Sequence, residues 1–157
     1  MDVLIRKGVK SDLPAVLDLI KELADFERAL NEVTVSLEDL EHDGFGNHPY
    51  YWFIVAEKEG EIIGLSFYFI RYSTWKGRFL FLEDFVVKES FRNKGVGALL
   101  FEETIRIAKE LDVKGMTWQV LDWNKNAIRF YEKYNSNIST EWYNGKLTYE
   151  QLKQFTL

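Results

Sequence analysis

Three consecutive stretches, Tyr51 to Glu57, Ile62 to Tyr72 and Arg78 to Lys88, are dense in aromatic and β-branched residues and are separated only by Glu59-Gly60 and Trp75-Lys-Gly77. Such side chains suit a pleated, half-buried surface, and breaks this short allow hairpins but no helical crossover. The centre of the chain is therefore expected to be an antiparallel meander, to which every other element must attach.

Before it, Val3 to Lys7 reads as a first strand. Leu13, Val16, Leu17, Ile20, Leu23 and Ala24 then recur at helical spacing behind a Ser11 or Asp12 cap, predicting a helix to about Glu27. Ser36-x-x-Asp39 is a capping box for a second helix, and two glycines and a proline make Asp43 to Pro49 a loop. After the meander, Val96 to Leu111 has helical spacing and Met116 to Leu121 is a short buried-type strand. Asn124 starts a further helix carrying Ile128, Phe130, Tyr131 and Tyr134. Strand, helix, strand implies a parallel crossover. The tail from Ile138 is read as a strand, an Asn144-Gly145 turn and a last helix capped by Thr148-x-x-Gln151. The expectation is a mixed, mostly antiparallel α+β sheet with helices on both faces.

With 157 residues, two prolines and no linker or repeat, residues 1–157 are expected to form one domain. Net charge of -5 opposes nucleic acid and anionic lipid and welcomes cationic small molecules. Apolar runs fall far short of the roughly 20 residues of a membrane span, and the start, Met1-Asp-Val-Leu-Ile-Arg6, does not resemble a signal peptide. The cytoplasm is the default. Without cysteine there is no thiolate nucleophile, and with two histidines, His42 and His48, no metal site is expected.

Between the third meander strand and the next helix lies Arg92-Asn93-Lys94-Gly95-Val96-Gly97-Ala98. Glycine in a helix is less favourable than alanine by roughly 1 kcal/mol, so two at a helix start need a reason. Bare amides at a helix N-terminus admit a phosphate onto the backbone, with Arg92 and Lys94 adding charge. The pattern is neither a Walker loop nor a dinucleotide fingerprint.

Arg-x-x-Gly-x-Gly in this setting resembles the acetyl-CoA loop of the GNAT acetyltransferases. Leu19-Ile-Lys-Glu-Leu-Ala24, Asp43-Gly-Phe-Gly46, Tyr72-Ser-Thr-Trp-Lys-Gly-Arg78, Leu82-Glu-Asp-Phe85 and Val120-Leu-Asp-Trp-Asn124 resemble its spermidine/spermine acetyltransferase branch. Within that branch, Tyr-Ser-Thr-Trp-Lys-Gly and Leu-Asp-Trp-Asn lean toward the thialysine acetyltransferases. The resemblance implies a sheet of six to seven strands with one splayed pair, acetyl-CoA as co-substrate, a small amine as acceptor and a homodimer. It places cofactor contacts at Phe85, Val86, Val87, Arg92, Asn93, Lys94, Gly95, Val96, Gly97, Ala98, Asn124, Lys125, Asn126, Ala127 and Tyr131. Substrate contacts fall on Phe26, Glu27, Glu83, Asp84, Trp118 and Glu141.

An amine with a pKa near 10.4 is neutral in only about one molecule in 2,500 at pH 7, so a base must take its proton. Glu83 and Asp84 are strand neighbours whose side chains should point to opposite faces, and the resemblance favours Glu83 as base, directly or through water. Tyr131, seven residues along the helix from Asn124, is by resemblance the proton donor to the leaving thiolate, and a backbone N–H near Phe85 or Val86 holds the oxyanion. Two departures stand out. Asn135 replaces a glycine usual after the tyrosine, and Ser73 replaces an acid of the spermidine-specific members, which weakens the case for spermidine. The expected activity is direct acetyl transfer to a thialysine-like or polyamine amine in a ternary complex. The rivals are a binding module without turnover and, from five Trp, eight Tyr and twelve Phe, an interaction face.

Overall fold

A computed structural model describes residues 2–156. The chain divides into two compact units, one ending at Gln119 and one beginning at Val120.

In the first unit, β1 (Leu4–Lys7), β2 (Trp52–Lys58), β3 (Glu61–Ser73), β4 (Gly77–Val87) and β5 (Met116–Trp118) lie side by side in chain order. β2–β3 and β3–β4 are antiparallel, as the hairpin breaks dictate, β1 pairs antiparallel with β2 across the helical segment between them, and β5 joins β4 in parallel after the helical crossover. Helices α1 (Leu13–Phe26) and α2 (Leu37–Phe45) cover one face, where Leu13, Val16, Leu19 and Leu40 pack with Phe53, Val55, Leu65 and Val86. Each such side chain contributes roughly 1.5–3 kcal/mol by leaving water. The Ser36 capping box starts α2 as expected: Ser36 Oγ accepts from the Asp39 N–H, and Asp39 accepts from the Ser36 N–H.

Helix α3 (Val96–Glu110) covers the other face through Val96 and Leu100 against Ile54, Ala56 and Ile63. It sits unusually close. A Cβ on Gly64 of β3 would come within 2.8 Å of Leu100 Cδ1. One turn further on, the fully buried hydroxyls of Ser66 and Thr104 bond at 2.7 Å, while Thr104 Oγ1 donates to the Leu100 carbonyl at 2.8 Å. Both polar groups are thereby satisfied, and the register of α3 on β3 is fixed.

The second unit holds α4 (Lys125–Glu132) and α5 (Tyr149–Gln154), the latter capped by Thr148 and Gln151 as its sequence predicts. Asn135 takes a left-handed φ of 57°, so it closes the α4 end as glycine would. No strand forms there among the described residues, and β5 stops at Trp118 and not at Leu121, so the sheet has five strands and not six to seven. The physical reason lies in Asn135-Ser-Asn-Ile-Ser-Thr140, which offers one large apolar residue and so little burial to offset the entropy of ordering a strand. Among the described residues no helix is long and apolar enough to cross a membrane.

Candidate active site

The acid pair Glu83-Asp84 occupies the irregular point of β4. Tyr68 stands opposite Leu82 and Phe67 opposite Asp84, so Glu83 has no counterpart on β3. This is a β-bulge, one extra residue that breaks the strand's two-residue alternation. The expected strict division of Glu83 and Asp84 between opposite faces therefore does not apply. Glu83 is pushed out and exposed, while Asp84 stays opposite Phe67 on the α1 and α2 side, half-buried.

Burial, then the neighbouring Glu83, then Glu27 push the Asp84 carboxyl up to about 7. Burial likewise holds Glu27, the residue closing α1, above its ordinary value. Among the described residues no Lys or Arg pairs with Glu27, Glu83 or Asp84. Elsewhere the chain does supply the cation: Asp12 lies 2.8 Å from Arg6, whose guanidinium holds it below the usual range. Three carboxylates without a Lys or Arg partner thus lie near apolar Phe26 and Phe67, an arrangement suited to positive charge.

The structure thus brings Phe26, Glu27, Glu83 and Asp84 to one region. Trp118, expected with them, packs its ring edge-on against Phe101 of α3 at 5.6 Å, and Phe101 meets Phe85 at 5.7 Å, on the opposite face of the sheet.

Past Val87, a short 3-10 turn (Glu89–Phe91) leads into the glycine-bearing loop. Asn93 and Gly95 take left-handed φ of 60° and 85°. The answer for Gly95 is thus a backbone one: it is the N-cap of α3 in a conformation that costs other residues energy. Gly97 is the second residue inside the helix. Gly95 makes no side-chain cap, the first internal bond is Leu99 N–H to Gly95 carbonyl, and a Cβ at Gly95 would meet nothing within 4 Å. Gly95 thus offers the N–H groups of Val96, Gly97 and Ala98 no side-chain acceptor, an arrangement that fits a diphosphate.

The two cations are less free than the sequence suggested. Arg92 Nε donates to the Val87 carbonyl at 2.9 Å, Arg92 Nη2 lies 3.4 Å from Glu22 Oε1, and the guanidinium covers Phe26 at 5.6 Å. Lys94 Nζ donates to the Ser90 carbonyl at 2.8 Å and lies over Phe91. Glu22 lies within Leu19-Ile-Lys-Glu-Leu-Ala24, but the sequence does not single it out as a site residue.

Residues Phe85, Val86 and Val87 pair with Ser66, Leu65 and Gly64 on one edge. The β5 partner on the other edge ends at the Leu82 to Trp118 pair, so β4 runs on past its neighbour, as a splayed strand pair requires. On that edge β5 does not reach the backbone of β4 beyond Leu82, although Arg92 Nε occupies the Val87 carbonyl.

In the second unit, Asn124 is the N-cap of α4 and its side chain accepts from the Ala127 N–H at 3.2 Å. Lys125 Nζ donates to the Asp122 carbonyl, and Asn126 Oδ1 accepts from Arg129. Tyr131 is buried, edge-on to Phe130 at 5.5 Å, with its carbonyl accepting from Ser136 Oγ. Glu141 lies exposed in a segment without regular structure. Among the described residues no group of three His, Asp or Glu is placed to hold a metal ion.

The sequence profile of the acetyltransferase (GNAT) family matches residues 16–135. Thialysine N-epsilon-acetyltransferase of Bos taurus is 37% identical over 147 residues, covering 88% of this chain and 86% of the relative. Spermidine/spermine N(1)-acetyltransferase-like protein 1 of Homo sapiens is 31% identical over 94% of this chain, which spans 23% of that longer protein. Among solved structures, an integron cassette protein from the mobile metagenome of V. cholerae superposes with a TM-score of 0.79 at 21% identity, over 98% of this chain and 97% of the other. An uncapped helix start behind Arg-x-x-Gly-x-Gly, an overhanging β4 edge and a match over most of the length agree: the chain belongs to the GNAT acetyltransferase family and is an N-acetyltransferase.

Proposed function

We propose that this chain transfers the acetyl group of acetyl-CoA directly to a small primary amine, thialysine-like or a polyamine or diamine, within a ternary complex. The observation that carries this reading is the bulge in β4, where Glu83 and Asp84 lie near Glu27 at the end of α1 and, among the described residues, no Lys or Arg pairs with them. A primary ammonium supplies that missing charge, and the relatives named for thialysine and spermidine/spermine substrates support a slender alkylamine. The residue match continues across the boundary at Gln119, in favour of one acetyltransferase domain.

Acetyl-CoA supplies the activated thioester. The amides of Val96, Gly97 and Ala98 take its diphosphate, with Asn93, Lys94 and Gly95 shaping the loop, and Phe85 to Val87 offer backbone partners to its extended arm. Glu83, exposed and next to the ligand edge of β4, accepts the ammonium proton. Asp84 is protonated below about pH 7, and an arriving cation favours its ionised form, so the pair adjusts its charge to the substrate. Tyr131, buried in its own unit, donates the proton to the departing thiolate, and Asn124 to Ala127 contribute further cofactor contacts.

The tail exposes Trp142, Tyr143, Tyr149 and Phe155, which suits self-association as a homodimer; light scattering tests this. The activity is tested by mixing the protein with acetyl-CoA and thialysine, lysine, spermidine, putrescine or glucosamine while following free thiol. Thiol release with one amine class, lost in Tyr131→Phe, is the expected result. CoA binding without thiol release for any amine would overturn transfer in favour of a binding module.

A further inference from the structure

Glu22 projects from the last turns of α1 to the segment that joins β4 to α3. Its Oε1 accepts from the Glu89 N–H at 3.2 Å and lies 3.4 Å from Arg92 Nη2. Arg92 Nε also donates to the Val87 carbonyl and its guanidinium lies over Phe26, while Glu89 starts the 3-10 turn and its carbonyl accepts from the Arg92 N–H. The remaining restraints on this segment come from the sheet, through Lys88 paired with Glu61 and its N–H donating to the Ile63 carbonyl at 2.9 Å. On the α1 side Phe26 lies under the Arg92 guanidinium and Glu22 accepts from both the Glu89 N–H and Arg92, so among the described residues Glu22 is the hydrogen-bonded tie to the helix that also carries Phe26 and leads into Glu27.

We infer that Glu22 is a positioning residue for the cofactor loop: it holds the Glu89 amide and the Arg92 guanidinium so that the bare amides at the start of α3 are presented in the shape that receives a diphosphate. The inference rests on the acetyl-CoA reading above. As an exposed ion pair, Glu22 with Arg92 would be worth little. The charge-assisted acceptor for a backbone amide is the stronger contact, because without it the loop must order itself on binding and affinity falls by that cost. The tie also fixes Arg92 over Phe26, so the amine-side helix and the loop share one restraint.

Two variants separate charge from hydrogen bonding. Glu22→Gln keeps an acceptor for the Glu89 N–H and removes the charge, whereas Glu22→Ala removes both. Hydrogen exchange on the unliganded protein should show the Glu89 amide and its neighbours exchanging about tenfold faster in Glu22→Ala, and within about twofold of wild type in Glu22→Gln. Calorimetric titration with CoA should show Kd raised about five- to tenfold in Glu22→Ala and less than about twofold in Glu22→Gln, with kcat at saturating acetyl-CoA within about twofold for both. Glu89→Pro, which deletes the same N–H in a position whose preceding residue is already extended at ψ 138°, should reproduce the weaker CoA binding and covers the case in which Glu22→Ala folds poorly. Wild-type exchange and wild-type Kd in both Glu22→Ala and Glu89→Pro would overturn the inference while leaving the acetyl-CoA reading intact, as would a loss of kcat at unchanged Kd. A wild-type protein that does not bind CoA would overturn that reading first and this role with it.

Discussion

The start of α3 and the corner around Asp84 are both left incomplete, but in opposite senses. At α3 the N-cap glycine provides no side-chain acceptor, and Asp12 makes no side-chain cap at the start of α1, although α2, α4 and α5 are capped by Ser36, Asn124 and Thr148. At Asp84 it gathers three carboxylates and provides no donor of positive charge, although it gives Arg6 to Asp12 and Glu57. A side-chain cap is worth about 1 kcal/mol, and burying an uncompensated carboxylate costs more. Under the proposed function the glycine-bearing start of α3 is reserved for an anion and the Asp84 corner for a cation. An acyl carrier with a diphosphate and an ammonium acceptor are such a pair.

The sharpest way to break this comparison is at the carboxylates. Glu83→Gln should lower kcat/KM for the preferred amine by a factor on the order of 10²–10³ with CoA affinity unchanged, since the lost group is a proton acceptor. Equal activity at pH 7 would remove Glu83 from that role. At the other pole, Gly97→Val should weaken CoA binding by about tenfold or more, through a side chain placed among the donor amides, while shifting Tm by only a few degrees. A large fall in Tm with unchanged Kd would show that Gly97 serves packing.

Asp84→Asn gives a smaller, pH-dependent effect. The folded-state value of about 7 lies above the ordinary 3.8, so between these the folded protein keeps a proton that the unfolded chain has lost. The contribution of Asp84 is therefore most favourable at low pH and declines as pH rises through about 7. Comparing Tm from pH 4 to pH 8, Asp84→Asn should match wild type at the acid end and exceed it by a few degrees at the alkaline end; the opposite trend would mean that a cation of the chain pairs with Asp84. Smallest of all, Asn124→Ala should cost about 1 kcal/mol, read as a Tm drop of a few degrees, because its side chain caps α4. An unchanged Tm would show that the cap contributes nothing to stability.

Much of this was legible in the residues. The meander, the α1 periodicity, the Ser36 and Thr148 capping boxes and the position of the glycine loop between a strand and a helix follow from local rules, and the structure realises each within a residue or two. The bulge was not legible. Leu82-Glu-Asp-Phe85 shows an acid pair but not which member is extruded, because that depends on the register of β3, and Phe67 versus Tyr68 as the opposing residue cannot be read from β4 alone. Glu22 with Arg92 joins positions 70 apart, beyond any periodic signal. The missing strands failed for a different reason: Ile138 and Trp142 supplied strand-forming side chains without enough apolar neighbours to bury them.

The unmatched position in β4 also separates what is inherited from what is replaceable. Tyr68 already faces Leu82 and Phe67 already faces Asp84, so a chain lacking residue 83 would close the ladder with ordinary spacing and keep its aromatic neighbours in place. Such a deletion would leave an intact architecture without the proposed proton acceptor. The scaffold and its reactivity can thus drift apart by a single codon, and a homologue with a regular fourth strand would be expected to carry the same outline with a different occupation.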